Sequence, residues 1–125
     1  GAGGTRNISG TTHYHVALEL ELAKLHNKES ALLFTSAYNA NQTTLETIPK
    51  VLGDVLYVSD EMNHSSIIQG IRHSKARKEI FKHNDLRELE GILMSNTGTK
   101  VVVFESVPAV LLRHALVASD VPHDL

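Results

Sequence analysis

Val55-Leu56-Tyr57-Val58-Ser59-Asp60-Glu61-Met62-Asn63-His64-Ser65-Ser66-Ile67-Ile68-Gln69-Gly70-Ile71-Arg72-His73 reads as one strand, one polar turn and one helix. Residues 55–59 form a short β-rich run, and residues 64–73 carry Ile67, Ile68 and Ile71 at helical spacing, predicted to face inward. Asp60, Asn63 or Ser65 could cap that helix, since each short polar side chain accepts from free N–H groups in a first turn. The same order recurs outward. Upstream, the apolar run 31–35 is predicted as a buried strand, handing over through Ser36 to a helix over 38–47 that Pro49 and Gly53 close. Downstream come a short strand over 79–82 and a helix begun by Asn84 or Asp85, with Leu86, Leu89, Ile92 and Leu93 on one face. The most β-rich run follows at 100–105. Strand and helix alternate, which predicts an α/β fold with a largely parallel sheet flanked by helices.

Before the first predicted strand, residues 14–26 set Val16, Leu18, Leu22 and Leu25 on one helical face among good helix formers. Thr12 or His13 lies near the start, Asn27 suits the left-handed end, and Leu20 falls off the stripe. Earlier still, Gly1-Ala2-Gly3-Gly4-Thr5-Arg6-Asn7-Ile8-Ser9-Gly10-Thr11 mixes glycines with one cation, one amide and several hydroxyls. Such a loop is either solvated or shaped to hold an anionic ligand. Its spacing matches neither the phosphate-loop nor the dinucleotide fingerprint.

The 125 residues make up one ordinary domain's length, and 42% hydrophobic with 21% charged residues excludes a disordered chain. A net charge of −2 gives no general attraction to nucleic acid or membrane. With no cysteine, disulfides, thiolate metal sites and a cysteine nucleophile are excluded. No apolar run has the length of a membrane span. His13 and His15 form a His-x-His pair without a third ligand at sensible spacing, so no metal is expected. A Ser59/Asp60/His64 hydrolase triad lacks the nucleophile elbow that would expose its serine. The turn at Ser36-Ala37-Tyr38, between predicted strand and helix, offers free N–H groups and a positive dipole end, a natural phosphate seat.

Residues 3–11 followed by His13-Tyr14-His15, then 31–36, 59–68, 83–86 and 103–107, resemble the 5-aminolevulinate synthases of the α-oxoamine synthase family. The resemblance implies a fragment of the large domain of a pyridoxal-phosphate-dependent transferase of fold type I, over residues 1–107. It implies pyridoxal 5'-phosphate as cofactor, bound at Ser36, Ala37 and Tyr38 with the backbone N–H groups of Ala37 and Tyr38 on its phosphate, and with Asn63 bonding the ring oxygen. His64 is implied as the active-site histidine stacked on the pyridoxal ring. Thr5, Arg6, Asn7 and Ile8 are implied to hold the succinyl end of succinyl-CoA across a homodimer interface. Ser59, Lys78 and Ile80 are implied to meet the CoA portion, and Arg72, Lys75 and Arg77 either attract its phosphates or form a solvated charged face. The implied reaction condenses glycine with succinyl-CoA at the start of heme and other tetrapyrrole synthesis. Sister enzymes, glycine C-acetyltransferase and 8-amino-7-oxononanoate synthase, share Asn63-His64. The implied compartment is the cytoplasm in a bacterium or the mitochondrial matrix in a eukaryote.

Residues 108–125 depart from the family pattern and end before its cofactor-anchoring lysine. The chain also opens inside a motif, so the expectation is a partial chain that does not turn over alone. The other class of reading is a non-catalytic fragment or pseudogene product. In the tail, Leu111, Leu112, Leu116 and Val117 could share a helical face.

Overall fold

The computed structural model describes residues 10–106 and 113–119. The chain divides into two compact units, Gly1–Ala40 and Asn41–Leu125. In the first, α1 (His13–Leu25) starts at a reciprocal cap: the Thr12 hydroxyl accepts from the His15 N–H, and His15 Nδ1 accepts from the Thr12 N–H at 3.1 Å. It ends as the sequence predicts, with Asn27 at φ 52°. The Asn27 N–H donates to the Lys24 carbonyl and the Lys28 N–H to that of Ala23, so two terminal carbonyls are satisfied. The predicted apolar face is not buried: Val16, Leu18 and Leu25 are exposed, and Ala23 is the buried residue. Propensity and caps form this helix, without burial of its stripe.

The strand predicted at 31–35 is absent. A run becomes a strand only when a ladder takes up its backbone groups. Here the Leu33 N–H donates instead to the Glu19 carboxylate at 3.0 Å. Ser36 does cap α2 (Ala37–Leu52), its hydroxyl accepting from the Asn39 N–H at 3.1 Å. That helix outruns the predicted 38–47, passing through Pro49 and ending where Gly53, at φ 83°, donates to the Pro49 carbonyl.

The second unit holds a four-stranded sheet in the order β2-β1-β3-β4, built from β1 (Val55–Asp60), β2 (Arg77–Phe81), β3 (Thr99–Ser106) and β4 (Arg113–Ser119). β1 pairs in parallel with both β2 and β3, while β4 runs antiparallel to β3. Part of the tail is therefore a strand rather than a helix, with Leu116 opposite Val103 and Val117 opposite Val102. Helices cover both faces. On one, Leu45 of α2 with Ile67 and Ile71 of α3 (Ser65–Ser74) buries Val55, Tyr57, Val101 and Val103. On the other, Leu89, Ile92 and Leu93 of α4 (Leu86–Ser95) cover Leu56, Val58, Phe81 and Val102. Period-2 alternation along β1 and β3 separates these two sets. Two predicted core positions fail: Ile68 is 39% exposed and Leu86 is 74% exposed. Leu86 opens its helix and precedes the stripe that faces the sheet.

Pro49 has no N–H, so it cannot donate to the carbonyl four residues back, that of Leu45. The hydroxyl of Tyr57, a residue with no exposed surface, donates to that same carbonyl. β1 thus supplies a donor to the carbonyl that the proline leaves without its helical one. α2 and α3 also meet closely at Gly70, where a Cβ would lie 3.0 Å from both Gln42 Cα and Leu45 Cβ.

On the outside of that contact, Glu46 accepts from Gln42 Nε2 at 3.1 Å and lies 3.0 Å from His73 Nδ1. The Gln42 amide first, and His73 second, hold the Glu46 carboxyl below its usual 4.5. A depressed folded pKa contributes stability above the unfolded value and loses it as pH falls through the folded one. An NMR titration is expected to give Glu46 a midpoint below 4.5, which Gln42→Leu raises.

Candidate functional site

The sheet changes winding direction between β1 and β3: α3 leads from β1 to β2 on one side, and α4 carries the chain back past β1 to β3. Crevices for ligands open at the carboxyl ends of parallel strands at such a point. A cavity of about 510 Å³ lies there, lined by Asp60, Met62, Asn63, His83, Asn84, Phe104 and Glu105. Its walls come from the β1–α3 turn, the loop after β2 and the end of β3.

Asn63 is buried and ties the turn to the sheet. Its Nδ2 donates to Ser59 Oγ at 2.9 Å and to the Val103 carbonyl at 2.8 Å. A carbonyl accepts only, so this contact fixes which end of the amide is nitrogen. Asn63 Oδ1 is left buried with no partner among the described residues. A buried acceptor of this kind is uncommon, and a donor from a ligand or a bound water would complete it. Next to it, the His64 N–H donates to Glu105 Oε2 at 3.1 Å. The helix cap is none of the three predicted residues: His64 itself caps α3, its Nδ1 accepting from the Ser66 N–H. Asp60, Asn63 and Ser65 lose this role because the imidazole already reaches that donor.

Asp60 closes the other side. Its buried carboxylate accepts from the Met62 N–H at 2.8 Å and from His83 Nδ1 at 3.0 Å. The acceptor role of Asp60 places a proton on His83 Nδ1, and the Asn84 side-chain amide lies 3.2 Å from His83 Nε2. A hydrolase triad is therefore absent: Asp60 bonds His83 rather than His64, and the Ser59 hydroxyl donates to the Asp60 carbonyl.

Other predicted site residues are distributed as follows. Ser59 lies opposite Ile80, and Tyr57 opposite Lys78, so Ser59, Lys78 and Ile80 are neighbours on adjacent strands; Ser59 is buried while Lys78 and Ile80 are exposed on the edge strand. Ser36, Ala37 and Tyr38 belong to the first unit, where Tyr38 is 43% exposed at the start of α2. Thr5, Arg6, Asn7 and Ile8 lie outside the described residues. Arg77 is paired with Asp54 at 3.2 Å. Among the described residues no group of three or more candidate ligands could hold a metal. Sequence reading gave no site role to His83, Asn84 or Glu105, and none beyond a cap or triad to Asp60. The available signal was polar residues placed directly after each parallel strand.

A family model described as aminotransferase class I and II matches residues 1–109. The chain belongs to the class I and II aminotransferase family. Within it, the chain is 57% identical over 109 residues to 5-aminolevulinate synthase 1 of Cereibacter sphaeroides, covering 86% of this chain and 27% of that protein. It is 54% identical over 109 residues to the erythroid-specific mitochondrial 5-aminolevulinate synthase of Opsanus tau, covering 86% of this chain and 19% of that one. The chain thus spans about a quarter or less of these relatives' length. Among solved structures of this α/β fold, serine palmitoyltransferase from S. paucimobilis with bound PLP–myriocin aldimine matches with a TM-score of 0.71 at 28% identity, over 82% of this chain and 26% of that one. No helix among the described residues is long and apolar enough to cross a membrane.

Proposed function

We propose that this chain works within a pyridoxal-phosphate-dependent 5-aminolevulinate synthase, which condenses glycine with succinyl-CoA and releases CoA and carbon dioxide. The observation that carries this reading is the 57% identity over 109 residues to a protein of that name, twice the 28% shared with serine palmitoyltransferase. The residues present fit the cofactor. Asn63 lines the cavity at the carboxyl ends of the strands and keeps a buried acceptor for a ligand donor, and His64, next in the chain but outside the lining, donates its N–H to the lining residue Glu105. When bound, pyridoxal phosphate supplies an electron sink for a carbanion.

The protein's own residues then have separate tasks. Asn63 and His64 hold and orient the ring, and the N–H groups of Ala37 and Tyr38, in the turn that begins at Ser36, take its phosphate. Lys78, exposed on the edge strand, meets the CoA phosphates, with Ser59 and Ile80 close by in the ladder. Thr5, Arg6, Asn7 and Ile8 select the succinyl carboxylate, serving the active site of a second copy in a homodimer. Residues 1–107 form part of the large domain, and 108–125 depart from it. The protein works in the bacterial cytoplasm or, from a eukaryote, in the mitochondrial matrix; its relatives include bacterial and mitochondrial forms.

The test is acyl-donor choice of the full-length enzyme within which this chain works, read as CoA released with glycine present. Succinyl-CoA is expected to be preferred over acetyl-CoA by more than about tenfold, because a site that binds a terminal carboxylate leaves its polar groups unpaired with acetyl. A preference for acetyl-CoA or a long-chain acyl-CoA would assign the protein to a sister enzyme.

A further inference from the structure

His64 Nδ1 is approached by two donors from one residue. The backbone N–H of Ser66 lies at 3.1 Å and its hydroxyl oxygen at 2.9 Å. A backbone N–H can only donate, so Nδ1 must present its lone pair, and the proton of the neutral ring sits on Nε2. The hydroxyl is oriented in turn. Ser66 has no exposed surface, and its oxygen accepts from Asn41 Nδ2 at 2.9 Å, leaving its own proton to point at His64. Three polar groups from α2 and the start of α3 thus form one directed chain, Asn41 to Ser66 to His64.

We infer that Ser66, itself oriented by Asn41, is a positioning residue that fixes His64 in its Nε2–H form and sets the plane of its ring. Neither Ser66 nor Asn41 lines the cavity. They act through His64. The consequence for catalysis rests on the proposed role of His64 against the cofactor ring: a neutral, pre-oriented imidazole fixes ring tilt with little ordering cost on binding, and its ring donor is Nε2–H.

The experiment needs no cofactor, so a failure of the cofactor reading leaves it decidable. The nitrogen shifts of His64 in the 15N-histidine-labelled protein, at pH about 9 where ordinary imidazoles are neutral, report the tautomer ratio. Each hydrogen bond to Nδ1 biases that ratio by roughly fivefold. The expected wild-type result is a protonated Nε2 and a bare Nδ1, favoured by about 25-fold. Ser66→Ala keeps the backbone donor and loses the hydroxyl, so the bias falls to about fivefold. Asn41→Asp has the same shape and turns the Ser66 hydroxyl toward a carboxylate, so it is expected to lower the bias in the same direction. This second variant decides the matter if the buried alanine substitution impairs folding. A wild-type protein with the proton on Nδ1, or Asn41→Asp and Ser66→Ala proteins with an unchanged ratio, would overturn the inference.

Discussion

Replacing Tyr57 with alanine is expected to cost about 3–5 kcal/mol of folding stability, the range for deleting a large buried aromatic. The ring has no exposed surface and stands among Leu45, Val55, Ile67, Ile71, Val101 and Val103, so its loss opens a cavity between sheet and helices. Tyr57→Phe isolates the hydroxyl. Burial pushes the phenol's pKa well above its ordinary value, so the group stays protonated and serves as a donor. Without it, the buried Leu45 carbonyl has neither the helical donor that Pro49 lacks nor the substitute from β1. The expected cost is about 1–3 kcal/mol. In a Pro49→Ala background, residue 49 regains an N–H and the same Tyr57→Phe change should cost measurably less. Urea unfolding of the four proteins in this cycle gives the coupling. Equal costs in both backgrounds would show that the hydroxyl does not stand in for the missing proline donor.

Asn63→Asp is expected to be nearly as damaging, although it replaces one atom by another of similar size. The nitrogen it removes faces the Val103 carbonyl at 2.8 Å, so an ionised carboxylate at this position would set two acceptors against each other in a buried place. A buried charge without a partner costs about 3–5 kcal/mol. Protonation relieves this by restoring a donor, so the pKa of the introduced carboxyl is raised in the fold. A raised folded pKa makes stability greater at low pH and lost as pH rises through it. The variant should therefore gain on the wild type between pH 8 and pH 5, about the range where a buried carboxyl titrates. Urea midpoints across that range check it. A constant difference between variant and wild type would mean that Asn63 does not donate to Val103.

What was legible in the sequence followed from local chemistry. The strand at Val55–Asp60 and the helix at Ser65–Ser74 emerge from β-rich composition and helical spacing, and both lie within one residue of the reading. The helix start near Thr12, the cap at Ser36 and the left-handed Asn27 were likewise readable, because they depend only on neighbours in the chain. Three features were not. Pro49 reads as a helix stop, yet the helix passes it, and the donor to the carbonyl that it leaves free comes from a residue in the next strand. Residues 31–35 read as a strand on hydrophobicity alone, but a strand also needs a ladder, and Leu33 found a side chain instead. The tail's apolar residues allow a helical face, yet β3 takes Arg113–Ser119 as an antiparallel neighbour. For the site, Asn63 and His64 were legible as a motif. Their ties to Val103, Glu105 and Ser66, and the Asp60–His83 wall opposite, join residues up to 41 positions apart, as between His64 and Glu105, and required the fold.

The most direct test of the account is a pyridoxal-phosphate titration of the purified protein and of its His64→Ala variant, followed by the cofactor's absorbance. Saturable binding by the wild type, weakened about tenfold or more in the variant as for a lost ring contact of about 1.4 kcal/mol, is the predicted result. Equal affinity in the two proteins, or no binding by either, would contradict the claim that the cavity beside Asn63 and His64 is a cofactor site.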